Sequence, residues 1–330
     1  MRRSLSAPLL LALVLALAGP CASLRLGDQA APGSLPAGGA NAAAAANATV
    51  EKQRLKVVVM VMTAPGAFEW RQLVRKHWQE QARDVQLVGK PVDVVMRFAV
   101  GKAPKLPGNM LTAWESTTFG DMAILDVQDG VKEAHSEGQH GGKIWYLFKW
   151  ALEQFPDADL YFKQDDDNIV NWRIALPTML DHAWRKPHTL PLERVYMGRL
   201  QFEEPGIPCG MGELYGFSKD VVTYGTAFTK PEIMTEDVFT CNWVKGMELW
   251  IGEWAVDRGG LLSWPAYENA WIHPVKEKEV YESCFQNLDG CVVEYQWGDH
   301  QNITFRWLPD VQAAQLWLAQ NSTAKQEVNL

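Results

Sequence analysis

The sequence predicts an α/β fold: a doubly wound, mainly parallel sheet flanked by helices. Strand-like apolar runs alternate with helical segments, which is the order of a βαβ chain. Those runs are apolar at both parities, as strands covered on two faces must be. A cluster of acids ends the fourth run, where ligands bind in such sheets. Taken in order, Leu55–Ala64 (LKVVVMVMTA) is the first buried strand. Phe68–Ala82 has helical spacing that sets Arg71, Arg75 and Trp78 on nearby faces. Val92–Gly101 is the second strand and Asp121–Val127 the third. Gly142–Phe155 is an amphipathic helix feeding a fourth strand, Asp159–Lys163. No internal repeat is evident.

The chain has 330 residues, 47% hydrophobic and 21% charged, which is enough apolar material for a sizeable core. A net charge of −8 gives no bias toward nucleic acid or an anionic membrane. Fifteen tryptophans are many for this length; most are expected in the core and its rim, and a few would suit a sugar cleft by stacking on pyranose faces.

Residues 1–24 read as a secretory signal or an uncleaved membrane anchor: Arg2 and Arg3 precede an apolar block from Ala7 to Ala18. Either places the rest in the secretory lumen. Residues 25–52 form a low-complexity Ala/Gly/Pro stem. The globular domain is expected over 53–285, with a C-terminal extension over 286–330. Sequons at Asn47, Asn302 and Asn321 agree with a lumenal setting. So do four cysteines outside the targeting segment, Cys209, Cys241, Cys284 and Cys291, compatible with two disulfides in three pairings.

The stretch DADLYFKQDDDNIV places Asp165, Asp166 and Asp167 at the end of a buried run. Taken alone it suits a solvated turn or helix cap. It also suits Mn²⁺ or Mg²⁺, hard cations that bind carboxylate oxygens and bridge substrate phosphates.

Several motifs in order resemble the β1,3-galactosyltransferase family. Arg71-x3-Arg75-x2-Trp78 follows the first strand, and Phe98-x-x-Gly101 ends the second. Glu115-x5-Asp121 and Asp126-x2-Asp129 come next, then Lys163-Gln-Asp165-Asp166-Asp167. A glycine-rich loop runs from Cys209 to Ser218, Glu236-Asp237-Val238 follows, and Ile272-His273 closes the set. The resemblance implies a GT-A fold with a Rossmann-like nucleotide-sugar half and an acceptor-binding second half. It implies an inverting hexosyltransferase that moves galactose from UDP-galactose to a glycan hydroxyl in β1,3 linkage. UDP-N-acetylglucosamine is the second donor, and a sugar-binding relative without turnover is the other class of reading. A secreted metal-dependent hydrolase is a third.

By position in the motifs, Asp167 and His273 would hold the cation, with His135 and His140 as rival ligands. Asp165, Asp166, Arg71, Arg75 and Lys143 would contact the nucleotide-sugar. For the two arginines, an anchoring role between sheet and loop stays open, since four-residue spacing puts them on one helix face. Asp237 would be the general base and Glu236 would orient the acceptor or its loop. Trp114, Trp243 and Trp271 are open between stacking and core. The segment between Asp129 and Lys143 is longer than the family's and lacks its Tyr and Asn; Cys241 stands where the family often has Gly. A lumenal Golgi enzyme on a membrane anchor is expected, or a secreted one.

Overall fold

The computed structural model describes residues 54–129, 140–181, 192–204, 207–231, 236–245, 250–253, 271–272, 275–286, 291–297 and 301–307. The described residues belong to one compact unit within residues 51–330; the segments expected as targeting sequence and stem lie outside the described residues. Among the described residues no helix is long and apolar enough to cross a membrane.

The first half follows the predicted alternation: β1 (Leu55–Met62), α1 (Phe68–Gln81), β2 (Gln86–Leu87), β3 (Lys90–Lys102), α2 (Leu106–Phe119), β4 (Met122–Gln128), α3 (His140–Gln154) and β5 (Leu160–Asp165). A short β6 (Ile169–Val170) and α4 (Trp172–Asp181) follow, then β7 (Val195–Glu204), β8 (Ile207–Ser218), α5 (Lys219–Phe228) and α6 (Glu236–Val244). The last described elements are β9 (Trp250–Glu253), β10 (Trp271–Ile272), α7 (Lys278–Gln286) and the pair β11 (Cys291–Trp297) and β12 (Gln301–Trp307). That pair is an antiparallel hairpin within the same compact unit, in the region expected as an extension.

The large sheet runs β2-β3-β1-β5-β8-β7-β9, with β4 also beside β3. In its first half β1 pairs parallel with both β3 and β5, and β3 with β4, while the two-residue β2 runs antiparallel to β3. The second half departs from the parallel expectation, because β8 runs antiparallel to both β5 and β7. The sheet is therefore mixed. Apolar runs report burial on two faces and carry no information about strand direction.

Burial on both faces is visible in β1. Val57, Val59 and Val61 pack with Val74 of α1, Trp172 and Leu176 of α4 and Tyr281 of α7. Val58 and Met60 face the other way, against Ile144, Leu147 and Phe148 of α3, Val221 of α5 and Trp243 of α6. Each such side chain removed from water stabilises the fold by about 1.5–3 kcal/mol. Gly225 lets α5 approach α6, since a Cβ there would lie 2.3 Å from the Trp243 ring. Trp243 thus takes the core role.

A disulfide joins Cys209 of β8 to Cys241 of α6, with Cα atoms 5.0 Å apart and a sequence separation of 32. Cys284 is disulfide-bonded as well. A loop of this length predicts that the Cys209→Ser/Cys241→Ser protein loses roughly 3–4 kcal/mol, on the order of 10 °C in Tm. Calorimetric unfolding checks this; an unchanged Tm would remove the crosslink from the account.

Candidate active site

β5 is hydrogen-bonded on both sides, with Met62 opposite Asp165 and Leu214 opposite Gln164. Its register therefore delivers Asp165, Asp166 and Asp167 together at the carboxyl edge of the sheet. There the chain turns, Asn168 N–H donating to the Asp165 carbonyl at 3.3 Å. Two of the three charges meet cations. Lys163, buried beneath the turn, pairs with Asp165 at 2.6 Å and also donates to the Gly212 carbonyl. Lys276 pairs with Asp167, whose carbonyl accepts from Val275 N–H at 2.9 Å.

Asp166 bonds a neutral hydroxyl: Thr63 Oγ1 donates to its Oδ2 at 2.5 Å. Thr63 follows the last residue of β1, so strand register alone sets it opposite this carboxylate. Burial pushes the Asp166 carboxyl above the ordinary carboxylate range. The charges of Asp167 and Asp165 push the same way, while the Thr63 hydrogen bond and Lys143 pull it back. A raised folded pKa means that ionised Asp166 costs stability. The cost is full above that pKa and vanishes as pH falls to the unfolded value of 3.8. In EDTA the Asp166→Asn protein is therefore expected to have a higher Tm than wild type at pH 7, with the gain fading toward pH 4. A lower Tm at pH 7 would contradict this.

Lys143 is buried behind the turn, donating to the Thr63 carbonyl at 2.9 Å and pairing with Asp129. The glycine of Phe98-x-x-Gly101 has its reason here. Gly101 N–H donates to Asp129 Oδ2 at 3.2 Å, and a Cβ on Gly101 would lie 2.7 Å from that of Asp129.

Arg71 and Arg75 take the anchoring role. Arg71 is 1% exposed and grips Glu115 with Nε at 2.9 Å and Nη2 at 2.6 Å. Its other donors go to the carbonyls of Ala64 (2.6 Å) and Pro65 (3.2 Å) and to Thr63 Oγ1 (3.4 Å). All five N–H groups are thus engaged by the protein, and they fix the loop after β1. Arg75 bonds Glu115 at 2.7 Å and forks onto Asp121 at 2.7 and 2.8 Å. Its guanidinium lies over the rings of Phe98 and Phe119, at 4.7 and 4.1 Å. Through these contacts the arginines hold the scaffold on which Thr63 and Asp166 meet.

Two sequence-derived candidates sit at element ends. Glu236 and Asp237 open α6, whose N-terminus favours carboxylates. Cys209 lies beyond Leu214, the last partner of β5, so the disulfide ties α6 to β8 on the side where β5 releases its aspartates. His273 lies outside the described residues, as does His135. The residues around His273 are tethered nearby: Ile272 is paired with Ile169, and Val275 bonds the Asp167 carbonyl. His140 begins α3, and Trp114 is exposed on α2, away from the turn's contacts.

Among the described residues no group of three or more His, Cys, Asp or Glu side chains stands ready to hold a metal. The donor set is nonetheless of the right kind for Mn²⁺ or Mg²⁺. Such ions use one or two protein carboxylates and complete their shells with phosphate oxygens and water. Thr63 and Lys276 escaped the sequence reading. Thr63 had one available signal, its position directly after the first strand; Lys276 reaches Asp167 across 109 residues and had none.

Residues 69–199 match the family model described as galactosyltransferase. Over that span the chain is similar to this family. The matched span carries every residue of the arginine–carboxylate framework, Lys143 and the acidic turn, and ends before Glu236, Asp237 and His273. Three similar galactosyltransferases are from Arabidopsis thaliana. A probable β1,3-galactosyltransferase 5 is 27% identical over 229 residues, covering 60% of this chain and 53% of the relative. β1,3-Galactosyltransferase 7 is 25% identical over 238 residues, 61% and 56% of the two chains. Hydroxyproline O-galactosyltransferase HPGT1 is 24% identical over 229 residues, 62% and 64%. The match thus spans somewhat over half the length of these relatives.

Proposed function

We propose that the chain is an inverting, cation-dependent galactosyltransferase of GT-A type that moves galactose from UDP-galactose to an acceptor hydroxyl in β1,3 linkage. The observation that carries this reading is the acidic turn at the carboxyl edge of β5, held by a galactosyltransferase-family framework. Asp167 with His273 would hold Mn²⁺ or Mg²⁺, which supplies a Lewis acid for the departing diphosphate. Asp165 and Asp166 position the nucleotide, and Lys143 sets the loop that carries Thr63. Asp237 accepts the proton of the acceptor hydroxyl as its oxygen attacks the anomeric carbon and UDP leaves from the opposite face. Glu236 orients the acceptor. The tethering of Ile272 and Val275 beside Asp167 supports His273 as second ligand. The setting is the Golgi lumen, on a membrane anchor.

The test is release of UDP from a panel of UDP-sugars with Mn²⁺, offered galactose-terminated glycans and a hydroxyproline peptide as acceptors. The peptide is included because one relative is named for that acceptor. Preference for UDP-galactose with a β1,3 product supports the reading. Preference for UDP-N-acetylglucosamine would move the donor, and tight sugar binding without UDP release would make the chain a binding relative.

A further inference from the structure

Helix α2 is built inside out. Its two buried side chains, Thr112 and Glu115, are both polar, and Glu115 is engaged by the two arginines. Its outer face carries Leu106, Met110 and Trp114 at four-residue steps with Leu111 beside them, each between 52 and 72% exposed. Phe68, 38% exposed at the start of α1, extends the face by meeting the Trp114 ring at 6.3 Å. Gly120 then turns the chain into β4, an outer strand of the sheet whose Ile124 is also exposed.

We propose that this face is a self-association surface, on which two copies of the chain pack α2 against α2 about a two-fold axis. Area is the first argument. Five large side chains, each about half exposed and each offering about 150–250 Å², present on the order of 500 Å² of apolar surface. A standard interface buries about 800 Å² per partner, roughly 60% of it apolar, and so needs about that amount. A patch of this size stands at the upper end of what a monomer exposes. Charge is the second argument. The chain carries a net charge of −8, so two copies repel over most orientations. The only ionisable residue of α2 is the buried Glu115, so the helix itself brings no like charges against its own copy. A two-fold contact sets each patch against the identical patch and closes at two. Because Glu115 anchors Arg71 and Arg75, the contact would sit on the back of the helix that stiffens the site. This inference does not depend on the proposed reaction.

Sedimentation velocity of the full chain at micromolar concentration is the test, comparing wild type with the Leu106→Glu/Met110→Glu protein. The expected result is a wild-type dimer, twice the 37.0 kDa chain mass. The double variant should weaken the dimer at least tenfold and keep the wild-type far-UV circular dichroism. The two proteins share one N-terminal segment, so association through that segment would not distinguish them. As a second check, Met110→Cys should form an intermolecular disulfide on mild oxidation. Wild type at monomer mass throughout, or a dimer that the double variant leaves intact, would overturn the proposal. So would a monomeric wild type that floats with phosphatidylcholine vesicles and loses this in the variant.

Discussion

Transfer by the Asp237→Asn protein is expected to fall by roughly 10²–10⁴-fold, the usual contribution of a positioned general base, with UDP-sugar affinity unchanged. An amide occupies the same volume and cannot take the acceptor's proton. Asp237 is the second residue of α6, and acidic residues are favoured in the first turn of a helix. The Cys209–Cys241 bond holds that helix to β8 at the carboxyl edge, so the substitution is not expected to move it. Steady-state rates alongside calorimetric UDP-sugar binding separate the two effects. Normal turnover would remove Asp237 as base, and lost binding would reassign it to the donor.

The largest effect on stability is expected at Glu115. Its side chain is 2% exposed and accepts from both Arg71 and Arg75. Glu115→Ala leaves the 1%-exposed guanidinium of Arg71 without its carboxylate, and breaking a buried pair this way costs about 3–5 kcal/mol. Against a total stability of about 5–15 kcal/mol, that approaches unfolding. Asp121→Asn should cost less, because Arg75 and Asp121 are 12 and 18% exposed and Arg75 keeps Glu115. Urea unfolding of both variants checks the order; equal losses would mean that burial is not what makes the Glu115 cluster matter.

Strand and helix positions in the first half were legible because burial on two faces writes itself into continuous apolar runs such as Leu55–Met62. The direction of β8 was not, since an antiparallel strand buried on both faces has the same composition as a parallel one. The acidic turn could be found as three aspartates after an apolar run. What neutralises it could not: Lys276 arrives through the docking of α7 on α1, where Glu282 meets Lys76 and His77. Motif positions suggested Arg71 and Arg75, yet residue type alone fits a diphosphate and a carboxylate equally. Only the geometry, with Glu115 and Asp121 as their partners, separates a scaffold arginine from a substrate one. Thr63 shows the same limit from the other side, a small residue with no motif of its own that register places against Asp166.

The account rests on the acidic turn being a cation-dependent nucleotide-sugar site, and calorimetric titration of UDP-galactose with Mn²⁺ and with EDTA tests that most directly. Wild type is expected to bind in Mn²⁺ and not in EDTA, and Asp167→Ala to bind in neither. Equal affinity in EDTA, or unchanged affinity in Asp167→Ala, would contradict it.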